Sequence, residues 1–269
     1  MGRGNLGRSL ARAFRAAGHL VTLVPGRTGF IKPPSLGVVF LAVPDHAVAQ
    51  VAAGIASSKP ARGLSFVHTS GALGLGALGA LPDHPVGSFH PLQSFPAPRD
   101  PPAFRAITIA VDASTPILMR RLRALARAIG AMPKRVPDED RVVYHASAVY
   151  ASNFVDVVVD EAVRLLGAIG WSQAEATKAL VPLVEGTLAG IRKRGPVRAL
   201  TGPIRRGDAQ TVKRHLEVLD GMDRGAEYRM LGKLALEIAM EAGLEPAAAR
   251  RMHRALTQKA AATRRRRGR

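Results

Sequence analysis

Cysteine is absent from the chain, which excludes disulfides, thiolate metal sites and a cysteine nucleophile. Aromatic residues supply only 4% of it, with a single tryptophan, too few for an obvious base-stacking platform. No run approaches the roughly 18 uninterrupted apolar residues of a membrane-spanning helix. The opening Met1-Gly2-Arg3 lacks the apolar stretch and cleavage site of a secretory signal. These absences lead us to expect a cytoplasmic protein without membrane contact. No compact group of His, Asp and Glu has ligand spacing, so no metal is expected. Acidic residues are outnumbered by Lys and Arg, 20 to 39, giving a net charge of +19. Part of this excess is local: Arg264, Arg265, Arg266, Arg267 and Arg269 form a basic tail, 263–269, expected to be disordered. The remaining charge, about +14, is spread along alanine-rich helical segments and reads as solvated faces rather than a nucleic-acid site.

What is present is enough for two modest domains: 269 residues, 47% of them hydrophobic. Residues 1–136 alternate short apolar strands with helices. Strands are expected at 20–24, 37–43, 64–67, 86–89 and 107–111, and helices at 5–17, 45–57 and 115–130. This alternation predicts an α/β fold, a Rossmann-type doubly wound parallel sheet with helices on both faces. The texture changes near 134–138. From 137 to 262 the pattern is helical throughout, with helices expected at 138–169, 172–194, 209–219, 224–242 and 246–262. We read it as an all-α C-terminal domain.

Gly2, Gly4 and Gly7 have the G-x-G-x-x-G spacing and open a periodic helix. In that motif the first glycine permits a tight turn and the second lets backbone approach a pyrophosphate. The third allows close packing, while the helix N-terminus offers free N–H groups to the anion. Gly2, Gly4, Asn5, Leu6 and Gly7 are therefore candidate cofactor-binding residues. The loop should follow a strand, yet only Met1 precedes it. A first strand is thus apparently missing, and Met1 is expected to lie about six or more residues inside the natural protein. After the second expected strand stands Arg27, where an NAD site usually has an acid; arginine there pairs with a 2′-phosphate and favours NADP.

Ligands of such sheets lie outside the carboxyl ends of the strands. Those ends read Ala42-Val43-Pro44-Asp45, His68-Thr69-Ser70-Gly71 and His90-Pro91-Leu92-Gln93. Ala42, Val43, Pro44 and Ser70 are candidate cofactor contacts. His68 and His90, in successive strand-end loops, are candidate proton carriers. The helix expected at 138–169 adds Tyr144, His145, Ser152 and Asn153. On one continuous helix Ser152 falls about 20° from His145 and Asn153 about 80°, so His145 and Asn153 join the candidates. The polar turn 201–208 either closes over a site or connects two helices with Asp208 as cap.

The strings GRGNLGRSLARAFRAAGH, LAVPDHAV, VHTSGALG, GSFHPLQSF, YHASAVYASNF and ALTGPIRRGD span nearly the whole chain. With them the chain resembles a bacterial family described as a Rossmann-like domain joined to a helical domain of unknown function. That family is related to ketopantoate reductase, pyrroline-5-carboxylate reductase and the β-hydroxyacid dehydrogenases. The resemblance implies an NADP-binding N-terminal domain and a helical domain for substrate and dimerisation, so a homodimer is expected. It implies no particular substrate. The β-hydroxyacid dehydrogenases carry a lysine four residues before an asparagine; here Asn153 is present but the other position is Val149. His145, His90 or His68 would then supply the proton. The expected function is an NADP(H)-dependent oxidoreductase acting on a small carbonyl, imine or alcohol. The alternative is a non-catalytic NADP-binding regulatory or partner protein.

Overall fold

The structure is a computed structural model and describes residues 1–26 and 35–258. Arg27 and the tail 263–269 lie outside the described residues. Two compact units divide the chain, Met1–Val158 and Val159 onward.

The first unit starts with helix α1 (Asn5–Ala16), whose buried stripe of Leu10, Ala13 and Phe14 is set against Arg8, Arg12 and Arg15. Strand β1 (Leu36–Leu41) leads through Pro44, the N-cap, into α2 (Asp45–Ser57). Then come β2 (Gly63–His68), β3 (Val86–Pro91), β4 (Thr108–Ala113), α3 (Pro116–Ala128) and β5 (Met132–Arg135). The Thr115 hydroxyl accepts a hydrogen bond from Leu118 N at 3.2 Å and starts α3, with Pro116 in its first turn. The five strands lie in the order β1-β2-β3-β4-β5.

Alternation along β2 divides the core between the two faces of the sheet. Val67 packs with Leu10 and Phe14 of α1, Leu118 and Leu122 of α3, and Phe89. Its neighbours Leu64 and Phe66 join Val48, Ala52 and Ile55 of α2 on the other face. Each fully buried Leu or Phe contributes about 1.5–3 kcal/mol. The result is the expected α/β fold with helices on both faces. Most strand pairs are parallel, and β3–β4 is antiparallel, with Ser88 opposite Asp112 and His90 opposite Ala110.

Three sequence expectations need correction. Residues 20–24 form no strand; among the described residues the segment's one backbone link to the sheet side is Gly2 N donating to Val24 O, 2.9 Å. Without a ladder partner, an apolar β-branched run is not a strand. Strand β5, Met-Pro-Lys-Arg, was not expected, since proline and two cations fit an edge and not a buried strand. The helix expected over 138–169 is two helices, α4 (Arg141–Ala151) and α5 (Asn153–Gly167), broken at Ser152 (φ −126°, ψ −74°). By length and composition Asp138–Gly167 could cross a membrane, but neither helix alone has the required length.

The second unit is helical throughout its described residues. α6 (Gln173–Ala199) starts in a capping box, Ser172 with Glu175, and kinks at Gly195. After α7 (Gly202–Arg205), helices α8 (Ala209–Asp220), α9 (Gly225–Glu241) and α10 (Pro246–Thr257) share a core of Val212, Leu216, Leu236, Met252 and Leu256. In the turn 201–208, Asp208 caps α8, its carboxylate accepting from Thr211 N at 3.0 Å.

Candidate active site

The glycine loop meets the steric demands of its motif one glycine at a time. Gly2 has φ +106°, and a Cβ there would stand 2.0 Å from Ala42 O. A Cβ on Gly7 would stand 2.2 Å from Gly2 O, so α1 approaches the loop more closely than any side chain allows. Gly4, the N-cap of α1, has nothing within 4 Å of such an atom. Its open side adjoins the free N–H groups of the first turn, Asn5, Leu6 and Gly7, where the helix dipole favours an anion. This cradle fits the pyrophosphate of a dinucleotide. Such a group, once bound, supplies hydride chemistry at its nicotinamide.

Other predicted cofactor contacts are engaged within the protein. The Asn5 amide donates to Phe95 O at 3.1 Å and Pro96 O at 2.8 Å, tying α1 to the loop after β3. Leu6 packs on the core. Ala42 and Val43 line the glycine loop: Ala42 N donates to Met1 O, and Val43 Cγ1 crowds Gly26. Ser70 Oγ donates to Asp45 Oδ2 at 2.7 Å and accepts from Ala72 N and Leu73 N, joining the ends of β1 and β2.

The three predicted histidines come together. His68 ends β2 fully buried, His90 lies in β3, and His145 rises from α4. Two of them meet at Gly71: a Cβ there would lie 2.8 Å from His145 Nδ1 and 2.9 Å from His90 Nε2, while the His68 charge acts on His90. The His90 and His145 rings stand 6.3 Å apart, at 77°. Tyr144 completes the group, its hydroxyl 2.8 Å from His90 Nδ1 and its ring edge-on to the imidazole. Asn153 is not part of it; the break at Ser152 invalidates the continuous-helix angle, and Asn153 is exposed.

Sequence reasoning did not assign three members of this site. Tyr144 precedes His145 directly, and in the sequence it reads only as a polar neighbour on the same helix. Arg141 is spaced i, i+3, i+4 with Tyr144 and His145, the one signal that could have placed it on their helix face. Its side chain is 1% exposed and donates to Ser88 Oγ and to Val136 O (3.2 Å), with Asp138 Oδ1 3.5 Å from its Nε. Gly71 gave no signal beyond its loop.

Burial sets the electrostatics. The His68 imidazole is pushed down to about 4 by desolvation and then by the Arg141 charge, against the opposing carboxylates of Asp45 and Asp138. Neither of its ring nitrogens makes a hydrogen bond of ordinary geometry among the described residues. His90 is also pushed down to about 4, by burial first and then by His145 and Arg141. Burial raises Tyr144 to about 12, with Arg141 pulling the other way. At neutral pH His68 and His90 are therefore neutral and Tyr144 keeps its proton. A neutral imidazole that accepts at Nδ1 from a phenol carries its own proton on Nε2, facing Gly71. No group of three or more potential metal ligands exists among the described residues.

Comparison with known proteins agrees with this architecture. Residues 107–235 match the family described as a domain of unknown function, DUF2520. No curated protein matches the chain. Among solved structures it is similar to a protein from Bacteroides fragilis named as a candidate NADP oxidoreductase, with 23% identity and a TM-score of 0.71 over 89% of this chain and 96% of that one. A protein from Thermotoga maritima gives 22% identity and TM-score 0.71, covering 89% and 97%. Pyrroline carboxylate reductase from Plasmodium falciparum, solved with NADP bound, gives 12% identity and TM-score 0.56, covering 96% and 98%. These likenesses are of fold. Together with the family match they fit a Rossmann-like domain joined to a helical domain of unknown function.

Proposed function

We propose that this chain is a cytoplasmic NADP(H)-dependent oxidoreductase acting on a small carbonyl, imine or alcohol. The observation that carries the reading is the placing of a sterically complete glycine cradle beside a histidine–tyrosine group, on successive strand ends of one sheet. Gly2, Gly4 and Gly7 with the first-turn N–H groups of α1 would hold the pyrophosphate, and Ala42, Val43 and Pro44 would line the way to the nicotinamide. NADP rather than NAD rests on Arg27. The proton is held at His90 Nε2. Tyr144, donating to Nδ1, fixes the tautomer, and His145 and Gly71 position the ring. A structural neighbour solved with NADP supports the cofactor class.

We assign cofactor binding to residues 1–136 and substrate binding and dimerisation to 137–262. The exposed apolar residues of α4 and α5, among them Val143 (74%) and Val157 (62%), support a homodimer through the helical part. A non-catalytic NADP-binding regulator is the second reading, favoured by Val149 standing where related dehydrogenases have lysine.

NADPH consumption with a panel of keto acids, imines and hydroxy acids (NADP reduction for the last) tests the first reading. We expect turnover with at least one class, falling about 10²–10⁴-fold in His90→Asn while NADPH affinity stays within about twofold. Binding without turnover across the panel would select the regulator. Unchanged turnover in His90→Asn would remove the proton assignment.

A further inference from the structure

Inside the first unit, the buried side chain of Arg141 ties helix α4 to the strand that carries His90. Its Nη2 donates to Ser88 Oγ. Ser88 is fully buried, and its hydroxyl also accepts from Asp112 N at 3.1 Å, across the β3–β4 pair. The hydroxyl is therefore anchored to two strands. Ser88 and His90 stand two apart on β3 and share one face, while Phe89 packs in the core of the other. Arg141 and Tyr144 stand one turn apart on α4. Two rungs thus join one strand face to one helix face, Ser88–Arg141 and His90–Tyr144.

A helix can pivot about a single hydrogen bond, whereas a second one a turn away stops the pivot. The other partners of Arg141 are near it in sequence, Val136 O at 3.2 Å and Asp138 Oδ1 at 3.5 Å. Ser88 is the partner that lies on β3. A buried guanidinium is costly to desolvate, and charge balance does not account for this one. Two carboxylates act on it, Asp138 and Asp112. Asp112 already pairs with Arg135 at 3.2 Å, and Asp138 is 46% exposed to water.

We propose that Arg141 is a positioning residue, which through Ser88 sets the place of Tyr144 against His90 and so the tautomer of that imidazole. Its consequence for turnover rests on the proposed role of His90 as proton carrier. The Arg141 charge works in the same direction as its geometry. After burial and His145 it is the next cause lowering His90, and only a neutral imidazole can accept from the phenol at Nδ1. Lysine would keep that charge but not the planar head that reaches Ser88 Oγ and Val136 O together.

Nitrogen NMR of the histidine-labelled whole chain, with His90 assigned from His90→Asn, reads the tautomer directly. We expect one tautomer in the wild type, protonated at Nε2, and a mixture in both Ser88→Ala and Arg141→Lys. In both variants kcat should fall about 10–10²-fold, with KM and NADPH affinity within about twofold. A single Nε2–H tautomer kept in either folded variant overturns the proposal even where Tm falls, since Arg141 would then serve stability alone. Mixed tautomers in the wild type overturn it as well. If no substrate is turned over but the variants mix their tautomers, the positioning stands and the oxidoreductase reading fails.

Discussion

His90 and Tyr144 form the residue pair on which the proposed chemistry depends. Their separation of 2.8 Å is that of a hydrogen bond, and burial holds both groups neutral, one by lowering an imidazole and the other by raising a phenol. The same burial makes stability depend on pH. In the unfolded chain His68 and His90 titrate near 6.5; in the folded protein both do so near 4. Between those values the unfolded state binds more protons. The stability these histidines contribute is complete above pH 6.5 and is lost as pH falls toward 4. Tm measured from pH 7.5 to 4 should fall most steeply in that window, and His68→Asn should flatten the fall. A Tm unchanged across the window would show that the imidazoles are not desolvated.

At the scale of elements, the proposal gives α4 and α5 two duties. One face of α4 carries Arg141, Tyr144 and His145 into the site, while Val142, Val143 and Tyr150, with Phe154 and Val157 of α5, stay exposed. Water does not favour so much apolar surface on adjacent helices. Light scattering should give a mass of about 57 kDa, twice the 28.5 kDa chain. Val143→Glu with Val157→Glu should return it to the monomer, whereas a monomeric wild type would reject the dimer. These elements also show how far sequence could be read. The i, i+3, i+4 spacing and the strand-end histidines are local signals, so α1–α3, β1–β4 and the gathering of His68 and His90 were legible. The break at Ser152 was not, because no proline or glycine marks it and the apolar period runs through it. That break is why His145 joined the site and Asn153 did not. The antiparallel turn of β4 and the edge strand β5 depend on tertiary pairing, which no local pattern encodes. Segment 20–24 failed for the opposite reason: its local pattern is that of a strand, but the described residues give it no ladder.

Across the whole molecule, the central claim is that the end of the sheet bearing the glycine loop is a dinucleotide site. Gly4 permits an unusually clean test. Its φ of −68° suits any residue, nothing lies within 4 Å of an added Cβ, and aspartate is a favoured N-cap. Gly4→Asp should therefore leave folding intact or slightly improve it, while placing a carboxylate where the pyrophosphate would lie. The decisive measurement is a fluorescence titration of NADPH into wild type and Gly4→Asp. The account predicts saturable binding by the wild type and affinity at least about tenfold weaker in Gly4→Asp, by charge repulsion and occlusion. No saturable binding by the wild type, or equal affinity in a folded Gly4→Asp, would contradict it.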